Sequence, residues 1–197
     1  MSELSVELIT RAQTGDALAI EELIGKIRKP LFHFACHYMG NDFEAEDITQ
    51  EVLIKVIKAL SSFKGDSTIW TWLFRIMTNA CIDYQRKRSN RPISYLTKLS
   101  ADDEEAVTMD LRDRRPLPEE SFEITELQDT IHNALNRLSP EHRTIIILHD
   151  IQDFKYQEIV EITKTGLGTV KSRLFYARQE LRKVLGPLIE KNNGGEY

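Results

Sequence analysis

Apolar residues return every three or four positions through almost the whole chain, and that spacing limits what it can fold into more than any other feature. Ala45, Ile48, Val52, Val56 and Leu60 draw one apolar stripe along a helix of roughly five turns. Ile69, Trp72, Leu73, Ile76 and Ala80 do the same for the next helix, with Ser67 or Thr68 as its N-cap. Leu18 to Tyr38 is a third helical stretch, closed by Gly40-Asn41. Further on, Phe122, Ile124, Leu127, Ile131, Leu135 and Leu138 share a face. Ser139-Pro140-Glu141 then restarts the helix with a serine cap and a proline in the first turn. No segment has the two-residue period of a strand. The chain reads as all-α.

Between the periodic regions lies a stretch with no period, carrying Asp102-Asp103-Glu104-Glu105, Arg114-Arg115, Pro116 and Pro118. It divides the chain into a helical domain over 1–95, an acidic flexible linker over 96–121 and a second helical domain over 122–191. Charge follows the same division. The net charge of −5 argues against a nucleic-acid partner only until it is mapped. Residues 1–95 hold 12 Lys+Arg and 12 Asp+Glu, and residues 125–197 hold 10 of each. Residues 96–124 hold 4 and 9, so the excess is confined to the connector. Two local patches are basic: Arg75, Arg86, Lys87, Arg88 and Arg91 against Asp83, and Lys164, Lys171, Arg173, Arg178, Arg182 and Lys183 against Glu180. Such patches hold phosphates whatever the total charge.

Several function classes drop out. No apolar run approaches the ~20 residues of a bilayer span, and Met1–Leu23 lacks the layout of a signal peptide, so a cytoplasmic location is expected. Cys36 and Cys81 form no CxxC, which indicates neither a disulfide framework nor a cysteine zinc site. His33, Cys36 and His37 share part of a helix surface, but no fourth ligand lies nearby and packing is the plainer reading. No nucleophile motif or glycine-rich phosphate loop is present, so neither an enzyme nor a cofactor is expected.

Three features remain that could carry function. Tyr156–Ile162 is a short helix followed by a few turn residues and a long basic helix, from near Gly168-Thr169 to a stop at Gly186-Pro187. That is helix-turn-helix layout. Leu167, Val170, Leu174, Ala177 and Leu181 form its packing stripe; Lys171, Ser172, Arg173, Phe175, Tyr176 and Arg178 lie off it. A solvated basic helix is the alternative. On the helix over 44–60, Glu44, Asp47, Glu51, Lys55 and Lys58 form a charged stripe, which by itself reads as a solvated face. Finally, the loop Ser61-Ser62-Phe63-Lys64-Gly65-Asp66 leads into Trp70-Thr71-Trp72-Leu73-Phe74-Arg75 and Asn79. Aromatic side chains beside basic ones suit unstacked single-stranded bases. Trp72 reads as core, Phe63 as a loop residue that no core needs, and Trp70 and Asn79 stay open.

Taken in order, these residues resemble the extracytoplasmic-function class of bacterial sigma factors, the sigma-E-like members most closely. The resemblance rests on EAEDITQEVLIKV (44–56), SSFKGDSTIWTWLFRIMTNACIDYQRKR (61–88), LSPEHRTIIILHDIQDFKYQEIVEI (138–162) and GTVKSRLFYARQELR (168–182). It implies core RNA polymerase as partner, through its β′ and β subunits, with Asp47, Gln50 and Glu51 meeting β′. It implies that Phe63, Lys64, Gly65, Asp66, Ser67, Thr68 and Asn79 hold the non-template strand of the −10 element. It implies duplex −35 DNA as the ligand of Lys171, Ser172, Arg173, Phe175, Tyr176 and Arg178, and an anti-sigma factor, often membrane-anchored, as the inhibitor. Lys164-Thr165-Gly166 departs from the family's glycine-then-serine-or-proline turn, and Tyr176 stands where arginine is common.

Overall fold

The computed structural model describes residues 4–89 and 130–193, with side chains described through 88 and through 186. Among these residues there are helices and turns and no strand. Helix α1 (Val6–Gln13) is capped by Ser5, whose hydroxyl accepts the Leu8 N–H at 3.2 Å. Asp16 caps α2 (Ala17–Met39) by accepting from Leu18 and Ala19. The same carboxylate takes Arg11 at 2.6 Å, a bond that holds the Asp16 carboxyl below the ordinary range. Along α2, Ala19, Leu23, Ile27, Leu31, Phe34, Ala35 and Tyr38 are buried, one continuous face that carries the helix through Pro30.

The turn after α2 is short because each of its residues does a separate job. Gly40 takes the left-handed conformation, φ 67°, and its N–H closes onto the Cys36 carbonyl. The Asn41 side chain then accepts from Phe43 and Glu44 to start α3 (Asp42–Ala59). A 3₁₀ turn, Leu60–Ser62, leads to the loop before α4 (Ile69–Ser89), which begins where the Thr68 hydroxyl accepts the Thr71 N–H at 3.1 Å. These helices pack together as the first lobe, close to the expected segments.

In the second lobe, α5 is described over 130–136, with Leu135 and Leu138 buried and Ile131 half-buried. Ser139 caps α6 (Pro140–Ile146), accepting from His142 with Pro140 in the first turn, as its sequence indicates. A π-type turn, Ile147–Ile151, precedes α7 (Tyr156–Thr163) and α8 (Leu167–Asn193). The expected stop at Gly186-Pro187 is overturned, since α8 runs through it to Asn193. A proline there forgoes one backbone bond, to the carbonyl of Lys183, itself an exposed residue. Phe122, Ile124, Leu127, Arg91 and the linker lie outside the described residues.

The two helical regions do not stand apart. They share one contiguous buried cluster, with α4 against α7 and the end of α2 against the second lobe. Phe74 is fully buried between Phe34 of its own lobe, 5.6 Å away and edge-on, and Phe154 of the other, 4.9 Å away.

Candidate nucleic-acid and protein interfaces

The outer face of α3 is sorted by which of its acids are already paired. Glu44 accepts Arg88 at 2.6 and 2.9 Å, Glu46 accepts Arg28 at 2.6 Å, and Glu51 accepts Lys55 at 2.7 Å. The Arg28 and Lys55 hydrogen bonds hold the Glu46 and Glu51 carboxyls below their usual range. Gln50 is turned back onto Glu46 at 3.2 Å. Asp47 is exposed, and among the described residues its carboxylate has no ion pair. Beside it stand Phe43, 71% exposed, Ile54 and Ile57. Phe43, Asp47, Gln50, Ile54 and Ile57 follow steps of four and three, so they form one stripe. The apolar members of that stripe were missed at the sequence level, although Phe43, Ile54 and Ile57, eleven and three residues apart, keep a helical spacing on a charged face.

The loop before α4 is anchored at both ends and open at its tip. Gln13 donates to the Leu60 and Phe63 carbonyls at 3.1 and 2.7 Å. Phe63 is half-buried and its ring lies 5.3 Å from that of Trp72, so the expectation of an uncommitted loop aromatic is corrected: the core does use it. Lys64, Gly65 and Asp66 are exposed, with Gly65 at φ 79°, a conformation glycine adopts without strain. Ser67 is half-buried, while Thr68 is exposed and spends its hydroxyl on the α4 cap. Trp70 is half-buried with its ring 6.2 Å from Phe74, and Asn79 is exposed. Thr68, just before α4, and Asn79, eleven residues and about three turns further on, fall on one face of the helix, with the loop tip at its start.

At the other end of the chain, α7 and α8 meet through a strained corner. The Lys155 N–H bonds the Glu158 carboxylate at 2.9 Å at the start of α7. Its C-cap is Lys164 in the left-handed region, φ 52°, where a side chain costs about 1–2 kcal/mol. The Thr163 and Thr165 hydroxyls meet at 2.8 Å across the corner. On α8, Val170, Leu174 and Ala177 are buried as the stripe requires. Lys171 and Ser172 are exposed, the serine hydroxyl folded back onto the Thr169 carbonyl, and Arg173 is half-buried. Phe175 and Tyr176 are 58% and 55% exposed, their rings 5.5 Å apart. Two large aromatic side chains exposed beside cations form the kind of apolar patch that marks an interaction surface. Arg178 differs from the rest, because Asp150 grips it with two hydrogen bonds.

Of the three helical neighbours read as packing, His33 is exposed, while Cys36 and His37 are half-buried. Burial pushes the Cys36 thiol up to about 12 and the His37 imidazole down to about 4. The His37 ring faces His132 at 5.7 Å, and no three ligating side chains cluster among the described residues.

Compared with known proteins, residues 23–91 match the Sigma-70 region 2 family and residues 128–181 match the Sigma-70 region 4 family. The RNA polymerase sigma-H factor of Pseudomonas aeruginosa is 31% identical over 96% of this chain and 97% of its own length. The extracytoplasmic-function sigma factor SigW of Bacillus subtilis is 34% identical over 91% and 96%. Among solved structures, the sigma factor RpoE of Bartonella quintana, in complex with the anti-sigma factor NepR, superposes with a TM-score of 0.62 at 28% identity. That match covers 84% of this chain and 96% of the other.

Proposed function

Because the chain belongs to the sigma-70 family, in its extracytoplasmic-function class, we propose that the three surfaces divide one task among them. The protein is a sigma factor: it binds core RNA polymerase and brings it to specific promoters. Members of this family are regulatory, and the polymerase supplies the chemistry. The supporting observation is that an acidic stripe, whose Asp47 has no ion pair among the described residues, an aromatic-flanked loop and a basic helix-turn-helix follow in family order in one chain.

The division we propose is residues 1–95 for polymerase and −10 DNA, 96–121 as linker, and 122–191 for −35 DNA. Asp47, Gln50 and Glu51 meet basic groups on β′, with Asp47 the strongest because no cation among the described residues pairs with it. Phe63, Lys64, Gly65, Asp66, Ser67, Thr68 and Asn79 hold the unpaired −10 strand. The loop tip tracks backbone, Asn79 hydrogen-bonds a base edge, and Phe63 shapes the loop from below. Stacking of one base on an aromatic ring is worth about 1–3 kcal/mol, enough to hold a strand open once melted. On α8, Arg173 and Ser172 address base edges, Phe175 and Tyr176 give apolar contact, and Lys171 and Arg178 take phosphates. A relative was solved with an anti-sigma factor, and we propose that this chain too is restrained by one. A cytoplasmic location follows from those partners.

The test is run-off transcription with purified core polymerase on a library of randomised −35 and −10 elements. Transcripts that start only from a defined promoter subset are expected. A chain that binds duplex DNA but adds no promoter-specific transcript to core would overturn the reading.

A further inference from the structure

A loop that holds a strand needs its own course fixed, and residues 64–67 do not fix it among themselves. Among the described residues, Lys64, Gly65, Asp66 and Ser67 take part in no backbone–backbone hydrogen bond. Gly65, at φ 79°, adds freedom at the tip. The course of the loop is set at its two stems. On the α4 side the stem is local: the Thr68 hydroxyl accepts the Thr71 N–H at 3.1 Å and meets the Thr71 hydroxyl at 2.8 Å.

The other stem is held from far away in the chain. The Gln13 side-chain nitrogen donates to the Leu60 carbonyl at 3.1 Å and to the Phe63 carbonyl at 2.7 Å, partners 47 and 50 positions along. Both N–H groups of one amide are spent on these bonds. Both acceptors are backbone, so the bonds fix where the chain leaves the 3₁₀ turn whatever side chains follow. The Leu60 carbonyl also takes the Phe63 N–H at 3.1 Å, which closes that turn on itself. From the core side, the Phe63 ring lies 5.3 Å from Trp72.

Helix α1 keeps that amide in place. Gln13 is its last residue and is half-buried, next to Ala12, which with Leu8 forms the buried face of the helix. Ser5 caps the start of α1, and the Arg11–Asp16 pair ties its end to the start of α2. An eight-residue helix is marginal by itself, and this one is held by packing on α2 and on the 3₁₀ turn. The whole of α1 precedes residue 23, where the region 2 match begins. We infer that Gln13 is a positioning residue for −10 recognition, a role that rests on the sigma-factor reading of this loop. It acts through the loop: its amide holds the stem so that the tip and Asn79 meet one unpaired strand together.

The test compares full-length variants in holoenzyme, by run-off transcription from one library with randomised −10 elements and another with randomised −35 elements. Gln13→Met keeps the length of the side chain and removes both donors. A loop that must be ordered at the moment of capture weakens on the sequences that use it and not on those that do not. The preference for the best −10 sequences over the rest should therefore fall about ten-fold, the size of effect that one or two neutral hydrogen bonds supply. Core-polymerase affinity and the −35 profile should hold. Ile27→Val, a change in the buried face of α2, controls for lost stability: its melting temperature should fall while its −10 profile stays that of wild type. An unchanged −10 profile in Gln13→Met, or an equal shift in Ile27→Val, overturns the positioning role and leaves the sigma-factor reading intact. If the wild-type chain adds no promoter-specific transcript to core, the sigma-factor reading fails and the role of Gln13 falls with it.

Discussion

Lys164 holds a backbone conformation that suits glycine, and this is where a single residue most visibly works against its neighbours. At φ 52° its Cβ crowds the following carbonyl, yet the corner between α7 and α8 cannot turn without it. Lys164→Gly should stabilise the chain by about 0.5–1 kcal/mol, the relief of strain being partly offset by the freedom glycine adds to the unfolded state. In a chain of this size that is a rise in melting temperature of about 1–4 °C, read by circular dichroism. Lys164→Val should lower it. The departure from the usual turn was legible in the sequence, but which residue carries the left-handed bend was not. Arg143 was less legible still. It follows a helix cap in Glu141-His142-Arg143, where a cation ordinarily reads as surface charge, and its carbonyl partners come from segments up to 105 positions away.

Elements add what residues cannot, because a face is defined by several of them together. On α3 the charged stripe was visible from spacing, but spacing does not say which carboxylates are already satisfied. Asp47→Lys should weaken core-polymerase binding by at least ten-fold, about 1.4 kcal/mol, with helicity unchanged. Glu51→Lys should cost less, because Lys55 already offsets that charge. Titration of labelled core measures both, and equal losses would mean the local ion pairs do not matter. On α8, Lys171→Ala should weaken binding to all sequences and lower the salt slope by about one unit. Arg178→Ala should lower that slope less, because Asp150 shares its charge. Arg173→Ala should shift the preferred −35 sequence, a discrimination of about 1–3 kcal/mol at one position. Helix limits were readable wherever a cap marked them, at Gly40-Asn41, Thr68 and Ser139. They misled at Gly186-Pro187, where two breakers sit in a helix that continues.

Across the whole molecule, sequence reasoning recovered two helical regions and missed that they close on each other. The reason is physical. Each lobe's periodic pattern is explained by its own helices, and nothing in a pattern distinguishes Phe74 buried among neighbours from Phe74 buried partly by a remote lobe. The closed form also carries a pH dependence. Burial, then the imidazoles of His132 on α5 and His33 on α2, depress His37 from 6.5 to about 4. The folded chain therefore binds fewer protons than the unfolded one, and this part of its stability is lost as pH falls from about 6.5 towards 4. The melting temperature should fall over that window in wild-type protein and hold steadier in His37→Gln. The interface has one more consequence, which concerns copy number. Both halves of it belong to the same chain, so their local concentration is set by the length of the connector and stays fixed however dilute the protein becomes. The contact between the lobes is therefore independent of how many copies of the chain are present.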